Sequence, residues 1–252
     1  MLTLGKPAKI VSSSTSTSIT LSWSQVVGAD FYAVYYKNSA GKWKLYKKLE
    51  GNSLSIRPLE SGRTITFGIR AYVIENGKNV RSPYYVTITE ATRPLKPAKI
   101  AATQNETAVK IAWSASKGCT GYRVYGYNTK TSKWVVVTSS TTKCSTIING
   151  LKNGTYYKFA VRPYIKIDSK VNWSEDYTTI IPATKPLPPT LKATSLKGGV
   201  RFEWSKVNGA DGYIIYGSKK PGSGYVKLAV TKNLTFTKKG LVSGQEYYFR
   251  AY

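Results

Sequence analysis

Residues 19–35 read ITLSWSQVVGADFYAVY, and the same frame returns at 109–125 as VKIAWSASKGCTGYRVY and at 200–216 as VRFEWSKVNGADGYIIY. Trp23, Trp113 and Trp204 stand 90 and 91 residues apart, each followed by a serine. Eight to nine residues after each Trp comes a second apolar run: Phe31-Tyr32-Ala33-Val34-Tyr35, Gly121-Tyr122-Arg123-Val124-Tyr125 or Gly212-Tyr213-Ile214-Ile215-Tyr216. Further on, a Leu-x-x-Gly turn recurs as Leu59 to Gly62, Leu151 to Gly154 and Leu241 to Gly244. Three landmarks in one order, three times over, make one structural unit per repeat of about 90 residues.

Within the repeats apolar residues alternate with polar ones. Ile19, Leu21 and Trp23 fall on one face of a strand, as do Tyr32 and Val34, and Phe67 and Ile69. Each repeat reads as about seven short strands. One such sheet could not bury its aromatic face alone, so two sheets must pack face to face. Composition agrees: 20 Tyr, 6 Trp, 21 Gly and 11 Pro in 252 residues suit many strands joined by tight turns. No apolar run approaches the roughly 18 residues of a membrane span, and no charged-then-apolar leader follows Met1. The near copies Ala91-Thr92-Arg93-Pro94-Leu95-Lys96-Pro97 and Ala183-Thr184-Lys185-Pro186-Leu187-Pro188-Pro189 mark short, proline-stiffened joints. The expected domains are 1–93, 94–185 and 186–252. The third stops at Tyr252, with its sixth strand unfinished and its seventh missing, which predicts a piece of a longer chain.

The Trp on the second strand, the Tyr-x-Val on the third and the Leu-x-x-Gly leading into an aromatic strand resemble the fibronectin type III family over the whole chain. The resemblance implies an all-β fold of three tandem fibronectin type III-like (immunoglobulin-like) β-sandwiches, the third truncated. The Lys-rich, Gly-Tyr-x-Val-Tyr style is closer to bacterial modules than to animal ones. The implied role is a non-catalytic, monomeric spacer or interaction segment of an extracellular or cell-surface protein, with other domains of the same chain as partners. In the family a Tyr six residues after the turn Leu ties strand to loop. Tyr157 and Tyr247 match it, whereas the first repeat has Ile65 and should lack the bond.

Catalysis finds no support in the residues: there is no His, and the 12 carboxylates form no calcium loop or paired constellation. No cofactor or metal is expected. Gly198-Gly199 precedes Val-Arg-Phe, a hairpin rather than a phosphate loop. Cys119 and Cys144 are the only cysteines. In the family's topology both lie at the same end of one sheet, which makes a bridge the expected state and two buried thiols the alternative; two cysteines alone fit no zinc site.

Strand parity places Tyr35, Arg70 and Tyr72 on the outer face, repeated as Tyr125, Arg162 and Tyr164. They form either a shielding cross-strand ladder or a platform for sugars or peptides. Trp43, Trp134 and Tyr225 follow a turn in each repeat, and Trp43 lies among Lys42, Lys44, Tyr46, Lys47 and Lys48. Such an aromatic edge either guards the sheet or holds an anionic glycan or strand. The net charge of +26 is spread over all repeats. Such a charge reads first as a solvated, Lys-rich face that serves solubility. The alternative is attraction, screened by salt, to a polyanion such as nucleic acid, acidic lipid or an anionic cell-wall polymer or polysaccharide, and no recognition motif points to specific nucleic acid. Asn105, Asn153, Asn172 and Asn233 head Asn-x-Ser/Thr triplets.

Overall fold

A computed structural model describes residues 4–252, which contain 22 strands and no helix. The first repeat holds β1 (Val11–Ser14), β2 (Ile19–Ser22), β3 (Phe31–Lys37), β4 (Trp43–Leu49), β5 (Ser53–Ile56), β6 (Thr64–Glu75), β7 (Lys78–Arg81) and β8 (Val86–Ala91). The second holds β9 (Ile100–Gln104), β10 (Val109–Trp113), β11 (Gly121–Asn128), β12 (Lys133–Thr141), β13 (Ser145–Ile148), β14 (Phe159–Ile167), β15 (Lys170–Trp173) and β16 (Thr178–Ile180). The third holds β17 (Lys192–Leu196), β18 (Gly199–Glu203), β19 (Tyr213–Ser218), β20 (Val226–Thr231), β21 (Thr235–Lys239) and β22 (Tyr248–Ala251).

By its contacts the chain divides into two compact units, residues 1–100, 112–146 and 159–179, and residues 101–111, 147–158 and 180–252. In the first unit a sheet of order β1-β2-β5 and a sheet of order β4-β3-β6-β7, with β8 also on β6, enclose one core. Ile19 and Leu21 of β2, Tyr32 and Val34 of β3, and Phe67 and Ile69 of β6 are all buried, as the alternation requires. Each such side chain contributes up to about 1.5–3 kcal/mol of apolar burial. The same unit contains the sheet β12-β11-β14-β15, with β16 on β14. In the second unit β17-β18-β21 and β20-β19-β22 enclose a smaller core around Phe202, Trp204, Tyr213, Ile215 and Ala251. The sheet β13-β10-β9 completes the second repeat.

The first two repeats have eight strands rather than seven because the last one is broken. Residues 78–81 of β7 and 86–91 of β8 both pair with β6, one beyond the other. Pro83 lies in the gap of the first repeat, and the second repeat is broken at the same place, after Ser174, with Glu175 in the position of Pro83. The fully buried Ser82 spans the gap, its N–H donating to Ala71 O at 2.9 Å and its hydroxyl accepting from Ala71 N–H at 3.3 Å.

Candidate functional site

Each repeat is keyed by its Trp–Tyr pair. Rings meet edge-on at 5.5, 5.3 and 5.4 Å for Trp23–Tyr32, Trp113–Tyr122 and Trp204–Tyr213. The buried Tyr hydroxyl accepts from the backbone six residues earlier: Val26 N–H at 2.7 Å, Ser116 N–H at 2.7 Å and Val207 N–H at 2.9 Å. This fixes the turn after the Trp strand against the core. These Tyr residues are conspicuous members of the repeat, but nothing in the sequence pattern signals the bond.

The opposite end of each repeat is fastened through the Leu-x-x-Gly turn. Tyr157 Oη accepts from Lys152 N–H at 2.8 Å and Tyr247 Oη from Val242 N–H at 3.2 Å. Ile65, at the equivalent place, lies instead in the apolar core. The linkers grip the same turn. Thr92, fully buried, donates its hydroxyl to Glu60 O at 2.6 Å and accepts from Arg63 N–H at 2.9 Å. Thr184 repeats this with Lys152 O at 2.6 Å and Thr155 N–H at 3.0 Å. Arg93 N–H donates to Thr15 O at 2.8 Å and Lys185 N–H to Asn105 O at 2.9 Å, so each linker is fixed to the repeat it leaves.

The first joint also contains a buried charge. Glu90, at the end of β8, is fully buried and is met by groups from three strands. Ser12 of β1 donates at 2.5 Å, Asn172 of β15 at 2.5 Å, and Lys170 of β15 forms an ion pair with it. Its own neighbour Ala91 adds an N–H at 2.9 Å. Burial pushes the carboxyl up, but Lys170, Ser12, Ala91 and Asn172 outweigh that and hold it below the ordinary range. The β14–β15 hairpin of the second repeat thereby docks on the end of the first. Lys117–Glu60 and the Ser16 N–H on Glu175 also join the two repeats, and Lys96–Asp176 ties the linker to the second. Asn172 is buried and bonded here, so its Asn-x-Ser triplet is not open to a glycan.

The outer faces carry the residues named as a ligand surface. In the first repeat Tyr35 and Tyr72 share a hydroxyl bond of 2.7 Å, and Tyr72 stacks on Phe31 at 4.8 Å. Burial and the bond to Tyr72 push the Tyr35 phenol up. Arg70 and Trp43 meet through Tyr85, a partner not among the residues expected from sequence: the guanidinium sits 4.0 Å from its ring and the indole stacks on it at 4.7 Å. Trp43 lies flat over Gly68, where an added Cβ would come within 2.9 Å of both rings. In the second repeat Ala160 replaces Gly68 and Trp134 meets Tyr177 edge-on at 5.8 Å. A recess of about 200 Å³ opens between Tyr125, Trp134, Ala160, Arg162 and Tyr177. Tyr164 stands apart, packed on Trp173 at 4.9 Å beside Arg123. In the third repeat Arg250 covers Tyr225 at 4.1 Å, with Tyr216 and Tyr252 alongside. The spacing of Tyr85 and Tyr177, 92 residues, was the signal that could have found this partner.

Cys119 and Cys144 are free thiols in this structure, and both converge on the Tyr122 hydroxyl, Cys144 Sγ at 3.8 Å. Burial and the bond with Cys119 push the Tyr122 phenol up.

No family model matches the chain. Over 243 residues, 95% of its length, it is 27% identical to the fibronectin type III domain-containing protein 7 of Homo sapiens, and it spans 31% of that protein. A two-domain fibronectin type III segment of chicken tenascin aligns with 23% identity and a TM-score of 0.45, covering 71% of this chain and all of the segment. The FN1–FN3 domains of chicken CNTN1 align with 19% identity and a TM-score of 0.37, covering 98% of this chain and 92% of that one. In strand order, in the Trp–Tyr pair and in the 27% identical alignment along 95% of the chain, the repeats are similar to tandem fibronectin type III β-sandwiches. Many cell-surface domains share this sandwich architecture. Among the described residues no helix is long and apolar enough to cross a membrane.

Proposed function

We propose that this chain is a non-catalytic spacer, an array of three modules (1–93, 94–185 and 186–252) that holds other domains of a longer extracellular protein away from a surface. The observation that carries this is the fastening of both linkers, by Thr92 and Thr184, together with the buried Glu90 cluster that ties the second module to the first. A flexible tether needs none of these bonds. A stiff spacer needs them all, because each removes a torsional freedom at the joint.

A second reading, binding of a neutral glycan or of an anionic cell-wall polymer, draws on the recess of Tyr125, Trp134, Arg162 and Tyr177. The two readings separate in titrations of heparin and a neutral glucan at low and high salt. The spacer reading expects only polyanion association that collapses as salt is raised, since +26 of diffuse charge attracts without shape. Salt-resistant glucan binding that disappears in Trp134→Ala would replace it with a carbohydrate-binding array. We also propose that Cys119 and Cys144 form a bridge when the protein is produced with glutathione disulfide as the electron acceptor. Thiol titration of the unfolded, unreduced protein should then find no free thiol, and two would refute the bridge.

A further inference from the structure

We infer that neighbouring repeats are held in register by a backbone contact between two glycines, one in the Leu-x-x-Gly turn of a repeat and one in the turn after the Trp strand of the next. The inference rests on the stiff-spacer reading and names the surface by which one module takes its neighbour.

In the first joint the partners are Gly62 and Gly118. A Cβ on Gly62 would collide with the carbonyl of Lys117 and come within 3.0 Å of Gly118 Cα. A Cβ on Gly118 would collide in turn with the Gly62 carbonyl and lie 2.8 Å from its Cα. In the second joint the partners are Gly154 and Gly209. A Cβ on Gly154 would lie 2.5 Å from the Asn208 carbonyl carbon, and one on Gly209 would lie 2.5 Å from Gly154 Cα. These are the same two places in the repeat, 92 residues apart for Gly62 and Gly154 and 91 for Gly118 and Gly209. No side chain of any size fits between the two turns at either joint, so a Cβ must drive the modules apart.

The polar contacts made from one module to the next around the glycines are not shared. The first joint has the exposed ion pair Lys117–Glu60 at 2.7 Å. The second has Asn208 Nδ2 donating to Asn153 O at 2.8 Å, Gly154 O at 3.1 Å and Thr155 Oγ1 at 3.2 Å. Exposed pairs of the first kind are weak. The glycine contact between modules recurs at both joints.

The remaining copies of the two positions separate turn geometry from docking. Gly28 and Gly244 both have φ of +78°, yet a Cβ on either meets nothing within 4 Å. Left-handed backbone therefore belongs to the turn itself, and the close approach belongs to the joint. The partner this surface accepts is a module with glycine at the turn after its Trp strand.

The test uses spin labels on the full chain with both cysteines replaced by serine. Labels at positions 44 and 133 report the first joint, and labels at 110 and 227 the second. Gly118→Ala and Gly62→Ala should each broaden the first distance distribution roughly twofold or more, and Gly209→Ala the second, as expected for loosened neighbouring domains. Gly28→Ala and Gly244→Ala carry the same backbone strain and should leave both distributions unchanged. Because Gly62 and Gly118 lie in different modules, local unfolding caused by one variant cannot imitate the result of the other. Equal widths for Gly118→Ala, Gly62→Ala and Gly28→Ala would overturn the glycine contact, as would broadening confined to Glu60→Ala and Asn208→Ala. Broad distributions in the unaltered chain would overturn the stiff-spacer reading instead.

Discussion

Glu90 is the residue whose environment most sharply sets a measurable property. Its carboxyl is held below the usual glutamate value of about 4.3 by Lys170, Ser12, Ala91 and Asn172 against the upward push of burial. A carboxyl lowered in the folded state contributes stability that is complete above the unfolded value and is lost as pH falls through the lower folded one. The first joint should thus hold at pH 7 and weaken below about pH 4. In Glu90→Gln the acid dependence should flatten and stability at neutral pH fall by about 1–3 kcal/mol, read by denaturant unfolding at pH 3, 5 and 7. An unchanged acid limb would refute the assignment. Tyr157 offers a simpler case. Tyr157→Phe removes the 2.8 Å bond from Lys152 N–H and should cost the second repeat about 1 kcal/mol. The matching position in the first repeat was legible from sequence, since Ile65 has no hydroxyl. The Tyr32, Tyr122 and Tyr213 bonds were not legible, because nothing in the pattern says that a buried Tyr reaches back across its own turn.

At the scale of elements, the joints behave differently from ordinary linkers. Arg93, Lys96 and Lys185 are each followed by proline, so trypsin has no site there. A protease of broad specificity should still find the linkers before the strands, leaving two fragments of about 90 residues and one of about 67. The second linker should be cut first, because the first is flanked by the Glu90 cluster and by Lys96–Asp176. Cleavage inside β3 or β11 ahead of either linker would contradict the module boundaries at 93 and 185. The broken last strand of the first two repeats is a second lesson at this scale. Alternation alone suggested one strand, whereas in the structure it is divided after Ser82 and after Ser174, and Ser82 keeps two bonds to Ala71 across the gap of the first repeat.

Across the whole molecule the repeats are unequal in core. Twelve buried residues form the core around Trp23, and five the core around Trp204. Stability follows buried apolar area, so heating should unfold the third repeat before the first. Two transitions are expected, and Trp204→Phe should remove the fluorescence change of the earlier one; a single coincident transition would contradict it. The sequence by itself determined the all-β class, the three repeats, the Trp and Tyr keys, the proline joints and the missing corner bond of the first repeat. Period and alternation are local properties of the chain, and each follows from which residues can face a core. Only the tertiary structure decided that Glu90 is buried against the next repeat and that Tyr85 covers Gly68. It alone decided that glycines far apart in sequence touch at the joints. Those contacts depend on how folded surfaces approach one another, and no run of neighbouring residues encodes that approach.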